Sequence, residues 1–176
     1  IADNIRRYHA ETPELMTVEQ LFLVSEGTEL EYGVTWNTTR RNIVEWKGDK
    51  VAKLENTIKN FFEINHVLNL IEKYIMFVEK NERLNKLILA EHQTKAIEVV
   101  LERSLSEQSR RGLIWHAQGS GKTLTMIKTA ELLFKSKEAE KPTVIMMLDR
   151  NELEGQLIDN LKNAGLALAT ANSDRT

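Results

Sequence analysis

The segment His116–Met126 reads "HAQGSGKTLTM" and decides how the rest of the chain is interpreted. It sets Gly119 and Gly121 on either side of a serine, immediately before Lys122 and Thr123. Glycine lets the backbone adopt left-handed conformations and lets a ligand approach it closely. Lysine can reach the β- and γ-phosphates of a nucleotide, and a threonine hydroxyl can hold Mg²⁺. The pattern therefore predicts a phosphate-binding loop; the alternative is a glycine-rich turn that only caps a helix.

The segments on either side of the loop favour phosphate binding. Residues 113–115 are apolar and predict a short buried strand, and residues 122–135 have helical spacing. A loop between a strand and a helix directs its amide groups and the positive end of the helix dipole to one point. A second strand at 143–148 and a second helix at 151–163 follow. This alternation predicts a parallel α/β sheet.

The first hundred residues predict a different organisation. Residues 21–24 and 30–34 are apolar or alternating and flank a turn-forming stretch, which indicates a β-hairpin. The other predicted elements are a helix over 1–11 that ends at Thr12-Pro13, an extended segment at 43–46, helices at 51–62 and 67–71, a strand-like segment at 75–78 and an amphipathic helix over 90–105.

Composition limits the functional classes. The 176 residues carry a formal charge of −2, which does not by itself indicate a nucleic-acid binder, and they include no cysteine, so disulfides and thiolate metal sites are excluded. The longest apolar runs are too short to cross a bilayer, so no membrane partner is predicted. The absence of cysteine fits a reducing compartment, and a cytoplasmic location is predicted. The chain begins at Ile1 without a methionine and is expected to be part of a longer protein.

Three blocks, "AEHQTKAI", "WHAQGSGKTLTM" and "VIMMLDRNELEGQL", occur in this order. Together they resemble the motor region of the R (restriction) subunit of type I restriction-modification enzymes, a superfamily 2 translocase fused to a PD-(D/E)xK-type nuclease domain. The upstream stretch "LFLVSEGTELEYGVTW" is similar to the end of that nuclease domain. The resemblance implies the tail of a nuclease-like domain over 1–48, a helical connector over 49–89 and the first part of a RecA-like motor lobe over 90–176.

The resemblance also implies a site for ATP and Mg²⁺. The strict phosphate-loop pattern has glycine at the position of His116, but helicase-type loops accept other residues there. Gln93 matches the glutamine that reads the adenine edge, for which an amide offers both a donor and an acceptor. The implied catalytic residues are Lys122 and Thr123, with Thr123 holding the metal, and the implied nucleotide-binding residues are Gln93, Gln118, Gly119, Ser120, Gly121, Lys122 and Thr123.

Two further segments resemble DNA-contacting or nuclease elements. "LDRNEL" matches a motif that lies against the DNA backbone, which makes Arg150 a candidate phosphate contact. Asp149 and Glu152 equally fit a capping box that opens a helix, and both interpretations stand. "NIRRY" is similar to a Q-x-x-x-Y element, with Tyr8 in place as a candidate DNA contact and Asn4 where glutamine is usual.

Glu45-Trp46-Lys47 has the E-x-K spacing of a metal-dependent nuclease. In the family it resembles, however, the catalytic acids precede the element that contains Tyr8, so Glu45 and Lys47 are not predicted to be catalytic and Trp46 is interpreted as a packing residue. The four histidines show no metal-ligand spacing and are interpreted as structural: His9, His66, His92 and His116.

The resemblance thus implies that the chain is part of an ATP-dependent type I deoxyribonuclease subunit that translocates and cuts double-stranded DNA together with modification and specificity subunits. The chain alone is expected to be inactive, because neither a Walker B acid nor an arginine from a second lobe is identifiable. Two alternatives remain: a superfamily 2 helicase or remodeller without a nuclease, and a non-catalytic phosphate-loop module that serves assembly.

Overall fold

A computed structural model describes residues 1–36, 38–47, 54–80, 83–108 and 111–147, together with 155, 157–159, 161 and 162. The chain divides into two compact units, Ile1–Val99 and Val100–Thr176. The predicted mixture of helices and strands is confirmed. Among the described residues the strands form two small sheets, and every pairing in them is antiparallel.

Two helices open the first unit, α1 (Ala2–Glu11) and α2 (Pro13–Val18). The helix predicted over 1–11 is confirmed. Pro13 has no amide hydrogen to contribute to a preceding helix, but it suits the first turn of the next one, where it stands here. The break at Thr12 therefore joins two helices directly.

A three-stranded antiparallel sheet follows, with the order β1 (Leu21–Ser25), β2 (Leu30–Val34) and β3 (Val44–Trp46). The predicted hairpin is confirmed, since Leu21 pairs with Val34 and Ser25 pairs with Leu30. Gly33 is required in the central strand, because a Cβ atom there would come within 2.7 Å of the Phe22 ring. The side chains of Leu30, Tyr32 and Val34 are buried and form the core at this sheet.

Two helices and an aromatic cluster pack on the sheet. The predicted helices are present as α3 (Leu54–Phe61) and α4 (Ile64–Asn69), which continues into a π-helical turn, Leu70–Tyr74; residues 51–53 of the predicted span lie outside the described ones. Phe61 is fully buried, and its ring centroid lies 5.4 Å from those of Tyr32, Trp46 and His66. Trp46 is thus a packing residue, as predicted.

The first unit also contains a second antiparallel hairpin, β4 (Ile75–Lys80) and β5 (Arg83–Ile88). The strand-like segment at 75–78 is confirmed, whereas β5 was not predicted. Its alternation is obscured because an inward-facing position is taken by Lys86, which is only 5% exposed. The Lys86 ammonium donates to Oε1 of Gln20 at 2.6 Å, and burial lowers its pKa. In the described part of the predicted helical connector, the helical segments therefore lie between residues 54 and 74, and strands follow at 75–80 and 83–88.

Two long helices complete the described elements, α5 (Glu91–Leu105) and α6 (Lys122–Lys135). Both agree with the predicted spans of 90–105 and 122–135. Of the helix predicted over 151–163, residues 155, 157–159, 161 and 162 are helical and the others lie outside the described residues. Leu157 and Leu161 are buried in the second unit together with Ile127 and Ala130 of α6.

The strand predicted at 113–115 is wrong, as is the strand at 143–148 over its described part, residues 143–147. Leu113 and Trp115 are 84% and 89% exposed, and Ile145 and Met147 are 81% and 88% exposed. A strand needs neighbouring strands to take up its backbone hydrogen bonds. Neither segment pairs with another within the described part of the chain, so the predicted parallel sheet is not formed there.

Candidate nucleotide-binding site

The loop before α6 has the backbone geometry that the sequence predicts. Gly119 and Gly121 both have φ of +78°, which is the left-handed region that glycine adopts without strain. Gly121 is the residue directly before the first turn of α6, and the amide of Ser120 donates to the carbonyl of Ala117 at 3.3 Å. A Cβ atom added to Gly119 would meet no atom within 4 Å, so the space beside this part of the loop is open.

Lys122 is the first residue of α6, and its side chain is exposed. Its ammonium donates to the loop carbonyls of His116 at 3.1 Å and of Ala117 at 2.9 Å. No ion pair among the described residues includes Lys122. Neutral carbonyls bind an ammonium group less strongly than a charged phosphate does, so these contacts leave it able to exchange to an anion.

The remaining loop residues differ in exposure. Gln118 and Gly119 are exposed, while Thr123 is half-buried at the second position of α6, where the positive end of the helix dipole lies. No cluster of three or more acidic, histidine or cysteine residues occurs in the described ranges. A divalent ion here would therefore depend on the Thr123 hydroxyl and on ligand oxygens, and Mg²⁺ accepts such a set together with water.

Gln93 lies at the N-terminus of α5, in the first unit, whereas the loop belongs to the second. It is buried, and its Oε1 accepts the backbone N–H of Ala90 at 2.9 Å. A glutamine at the third helical position that reaches back in this way caps the helix. This capping role was not predicted from the sequence, although an apolar segment followed by Glu91 and Gln93 was its visible signal.

Two contacts attach the start of α5 to the three-stranded sheet. The hydroxyl of Tyr32, in β2, donates to the carbonyl of Leu89 at 2.9 Å. The backbone N–H of Lys47, directly after β3, donates to Oε2 of Glu91 at 2.8 Å. Glu91 is buried, and its other carboxylate oxygen forms an ion pair with Lys95. Neither Tyr32 nor Glu91 was predicted from the sequence to have a role here, because neither belongs to a recognisable motif.

The other predicted contacts have different outcomes. Asn4 and Tyr8 lie one helical turn apart on α1 and line a cleft of about 360 Å³ that Phe22 and Thr35 also line. Tyr8 is 42% exposed, and the guanidinium of Arg7 lies 5.3 Å from the centroid of its ring. Asp149, Arg150 and Glu152 lie outside the described residues, so the two interpretations of that segment remain predictions.

The E-x-K segment has the geometry of a solvated surface pair. The Lys47 ammonium lies 4.0 Å from a Glu45 carboxylate oxygen, and both side chains are largely exposed. Among the histidines, His9 bonds to the carbonyl of Thr35, and His66 packs with its ring centroid 4.6 Å from that of Trp46. These contacts are structural.

Beyond the loop, α6 carries a buried charge network. Glu131 accepts from Lys128 at 2.9 Å and from Lys135 at 2.5 Å, and the side chains of Lys128 and Glu131 are only 4% and 11% exposed. Burial acts to raise the pKa of Glu131, but the hydrogen bonds and charges of Lys135 and Lys128 outweigh it, so the pKa is lowered. Glu131 therefore stays ionised and neutralises the buried Lys128.

Comparison with known proteins gives a family match over the part of the chain that contains this loop. Residues 92–176, which contain the loop and α6, match the SWI2/SNF2 ATPase family. The match begins one residue before Gln93.

More specific relatives cover most of the chain and confirm the resemblance to type I restriction enzyme endonuclease subunits. A Methanocaldococcus jannaschii protein provisionally named as such a subunit is 32% identical over 97% of this chain and 17% of its own length. The subunit of Staphylococcus saprophyticus is 30% identical over 78% of the chain and 15% of its own length. The Haemophilus influenzae HindI subunit is 26% identical over 89% of the chain and 16% of its own length. The chain thus spans about a sixth of the length of these relatives, and no described helix is long and apolar enough to span a membrane.

Proposed function

We propose that this chain is the part of a type I restriction subunit that binds ATP with Mg²⁺ and couples its hydrolysis to movement along duplex DNA. The observation that carries the proposal is the loop, in which left-handed Gly119 and Gly121 precede an exposed Lys122 at the start of α6. The loop lies inside the interval that matches SWI2/SNF2 ATPases, which makes nucleotide binding a better explanation than a structural turn.

In this proposal the loop residues and Gln93 bind different parts of the nucleotide. The Lys122 ammonium moves from the loop carbonyls to the β- and γ-phosphates, where it stabilises charge that develops during phosphoryl transfer. The Thr123 hydroxyl contributes one ligand to Mg²⁺, which supplies charge neutralisation when it is bound with ATP. Gln93 selects adenine. The amides of the remaining loop residues orient the β-phosphate: Gln118, Gly119, Ser120 and Gly121.

The proposed domain organisation is the one that the resemblance to type I restriction subunits implies. Residues 1–48 would form the tail of a nuclease-like domain, 49–89 a connector and 90–176 the first part of a RecA-like lobe, whose sheet needs strands from elsewhere in the whole protein. The whole protein would act in the cytoplasm as an ATP-dependent deoxyribonuclease with modification and specificity subunits. Tyr8 and Arg150 are the proposed DNA contacts.

Titration of ATP with Mg²⁺ into the full-length protein and its Lys122→Ala variant tests the proposal. Removal of the ammonium should weaken ATP binding by about tenfold or more, because a charge-assisted contact to phosphate is lost. Lys137→Ala is the matched control, because it removes the same charge from an exposed residue just after α6. Equal ATP affinity in the wild type and in Lys122→Ala would contradict nucleotide binding by this loop.

The same variants address the alternative of an assembly module. If Lys122→Ala abolishes ATP-dependent DNA translocation and leaves association with the partner subunits unchanged, the loop serves the motor. Unchanged translocation with lost subunit association would instead assign the loop to assembly.

A further inference from the structure

The start of α5 is fixed by groups that belong to the three-stranded sheet. Leu89 and Ala90 connect β5 to α5, and Ala90 is the residue whose amide the Gln93 side chain caps. The carbonyl of the neighbouring Leu89 accepts the Tyr32 hydroxyl at 2.9 Å. One phenol group therefore contacts the backbone four residues before the proposed adenine-reading side chain.

Glu91 supplies a second attachment to the region of the sheet. Its Oε2 accepts the Lys47 backbone N–H at 2.8 Å, and it stands two residues before Gln93 in the first turn of α5. Both Tyr32 and Glu91 are buried, at 0% and 6% exposure, so water does not compete with these bonds. The first turn of α5 is therefore bound at two points, both before Gln93 in the chain, by residues of β2 and of the segment after β3.

Discrimination between adenine and guanine requires that the Gln93 amide be held in a fixed position. An amide distinguishes adenine from guanine only if its donor and acceptor lie at fixed positions against the base edge, since guanine presents the acceptor O6 where adenine presents its N6 donor. The Oε1 atom of Gln93 is held by the Ala90 amide, so the orientation of its side chain depends on the position of that backbone group. A small displacement of residues 89–91 would rotate the amide plane and change which base it accepts.

We propose that Tyr32 and Glu91 are positioning residues for nucleotide selection, which hold the first turn of α5 against the sheet so that Gln93 presents its amide to adenine. This inference rests on the proposed function of Gln93. It assigns a specificity role to the sheet of the nuclease-like region, which contains no residue of the phosphate loop.

The test measures the ratio of ATP to GTP affinity, each with Mg²⁺, in the full-length protein. Tyr32→Phe removes one hydroxyl and keeps the ring, and it should reduce the ATP:GTP preference by about threefold to tenfold, the range for one buried hydrogen bond. Glu91→Ala should act in the same direction, and Glu91→Gln should restore the preference, because an amide oxygen can still accept the Lys47 N–H.

Tyr74→Phe is a matched control. The Tyr74 hydroxyl donates to Oε1 of Glu98 at 3.0 Å, so this variant also removes one phenol bond to α5, but at a point five residues beyond Gln93. Tyr74 is buried as Tyr32 is, so both variants should lower the melting temperature similarly. If Tyr32→Phe and Tyr74→Phe reduced the ATP:GTP preference equally, general loosening of α5 would be responsible and the positioning role would be overturned. The positioning role would also be overturned if Tyr32→Phe had no effect on the preference.

A third variant separates this inference from the proposal on which it rests. Gln93→Glu keeps an oxygen that caps the Ala90 amide but replaces the amide donor with a carboxylate oxygen. If it abolishes the ATP preference while Tyr32→Phe does not alter it, only the positioning role fails. If Gln93→Glu leaves the preference intact, adenine selection by Gln93 fails and the positioning role fails with it. If Gln93→Glu and Tyr32→Phe each lower the ATP:GTP preference, Tyr32→Phe should lower it no further in a protein that already carries Gln93→Glu.

Discussion

At the scale of single residues, His66 combines a structural position with a titratable ring. It lies against Trp46 and Phe61, and its Nε2 is buried with no hydrogen-bond partner among the described residues. Burial lowers its pKa below the usual 6.5, although the carboxylates of Glu63, Glu98 and Glu91 oppose this shift. The folded chain therefore favours the neutral ring.

A pH dependence of stability follows. Because the folded pKa lies below the unfolded value, His66 contributes fully to stability above about pH 6.5, and this contribution is lost as the pH falls through that value. The free energy of unfolding in urea should fall between pH 7.5 and pH 5.5. In His66→Phe, which keeps an aromatic ring but cannot titrate, the fall should be smaller. An identical pH dependence in the two proteins would show that His66 titrates normally.

At the scale of elements, the buried pair on α6 should dominate the stability of that helix. Glu131→Ala would leave the Lys128 ammonium buried without a counter-charge, which costs about 3–5 kcal/mol for pairs of this kind. Lys135→Ala removes an exposed partner of the same carboxylate and should cost about 0.5 kcal/mol. Both values are measurable by urea unfolding. A double variant, Lys128→Met with Glu131→Leu, should recover most of the loss, because apolar side chains of similar volume carry no desolvation penalty.

Elements were predictable from the sequence where the pattern was local. The β1–β2 hairpin and α6 follow from alternation, turn residues and helical spacing within a few residues, and the structure has them at the expected positions. β5 was missed because a lysine at an inward position hides its alternation. The strand at 113–115 was wrongly predicted for the opposite reason: its apolar pattern is clear, but a strand also depends on partners remote in sequence.

The conformation of the loop was predictable to the same extent. The backbone conformations of Gly119 and Gly121 follow from glycine at those positions, and the exposure of Lys122 follows from its place at the start of a helix. The contacts of Tyr32 and Glu91, in contrast, depend on three-dimensional neighbours up to 57 residues apart. No short motif contains that information.

At the scale of the whole molecule, the second unit exposes much apolar surface. Leu113, Trp115, Ile145 and Met147 are each more than 80% exposed, and the segments that carry them lack strand partners among the described residues. Exposed apolar segments of this kind associate with one another in solution.

The 176-residue chain should therefore self-associate at micromolar concentration, which light scattering after size-exclusion chromatography can detect. Trp115→Lys combined with Met147→Lys should shift it toward the monomer by placing charge in both segments. A matched pair of substitutions at exposed polar positions, Gln118→Lys with Glu140→Lys, should leave association unchanged. A chain that is already monomeric as wild type would contradict the expectation.

The buried lysine of the second hairpin has a practical consequence for any experiment that follows motion in the first unit. An amine with a lowered pKa is more often in its nucleophilic, uncharged form, yet at 5% exposure Lys86 is shielded from reagents while β4 and β5 stay in place. Acylating reagents would reach it only during excursions that separate β5 from Gln20. The ratio of its labelling rate to that of exposed Lys59 therefore reports how often that hairpin opens.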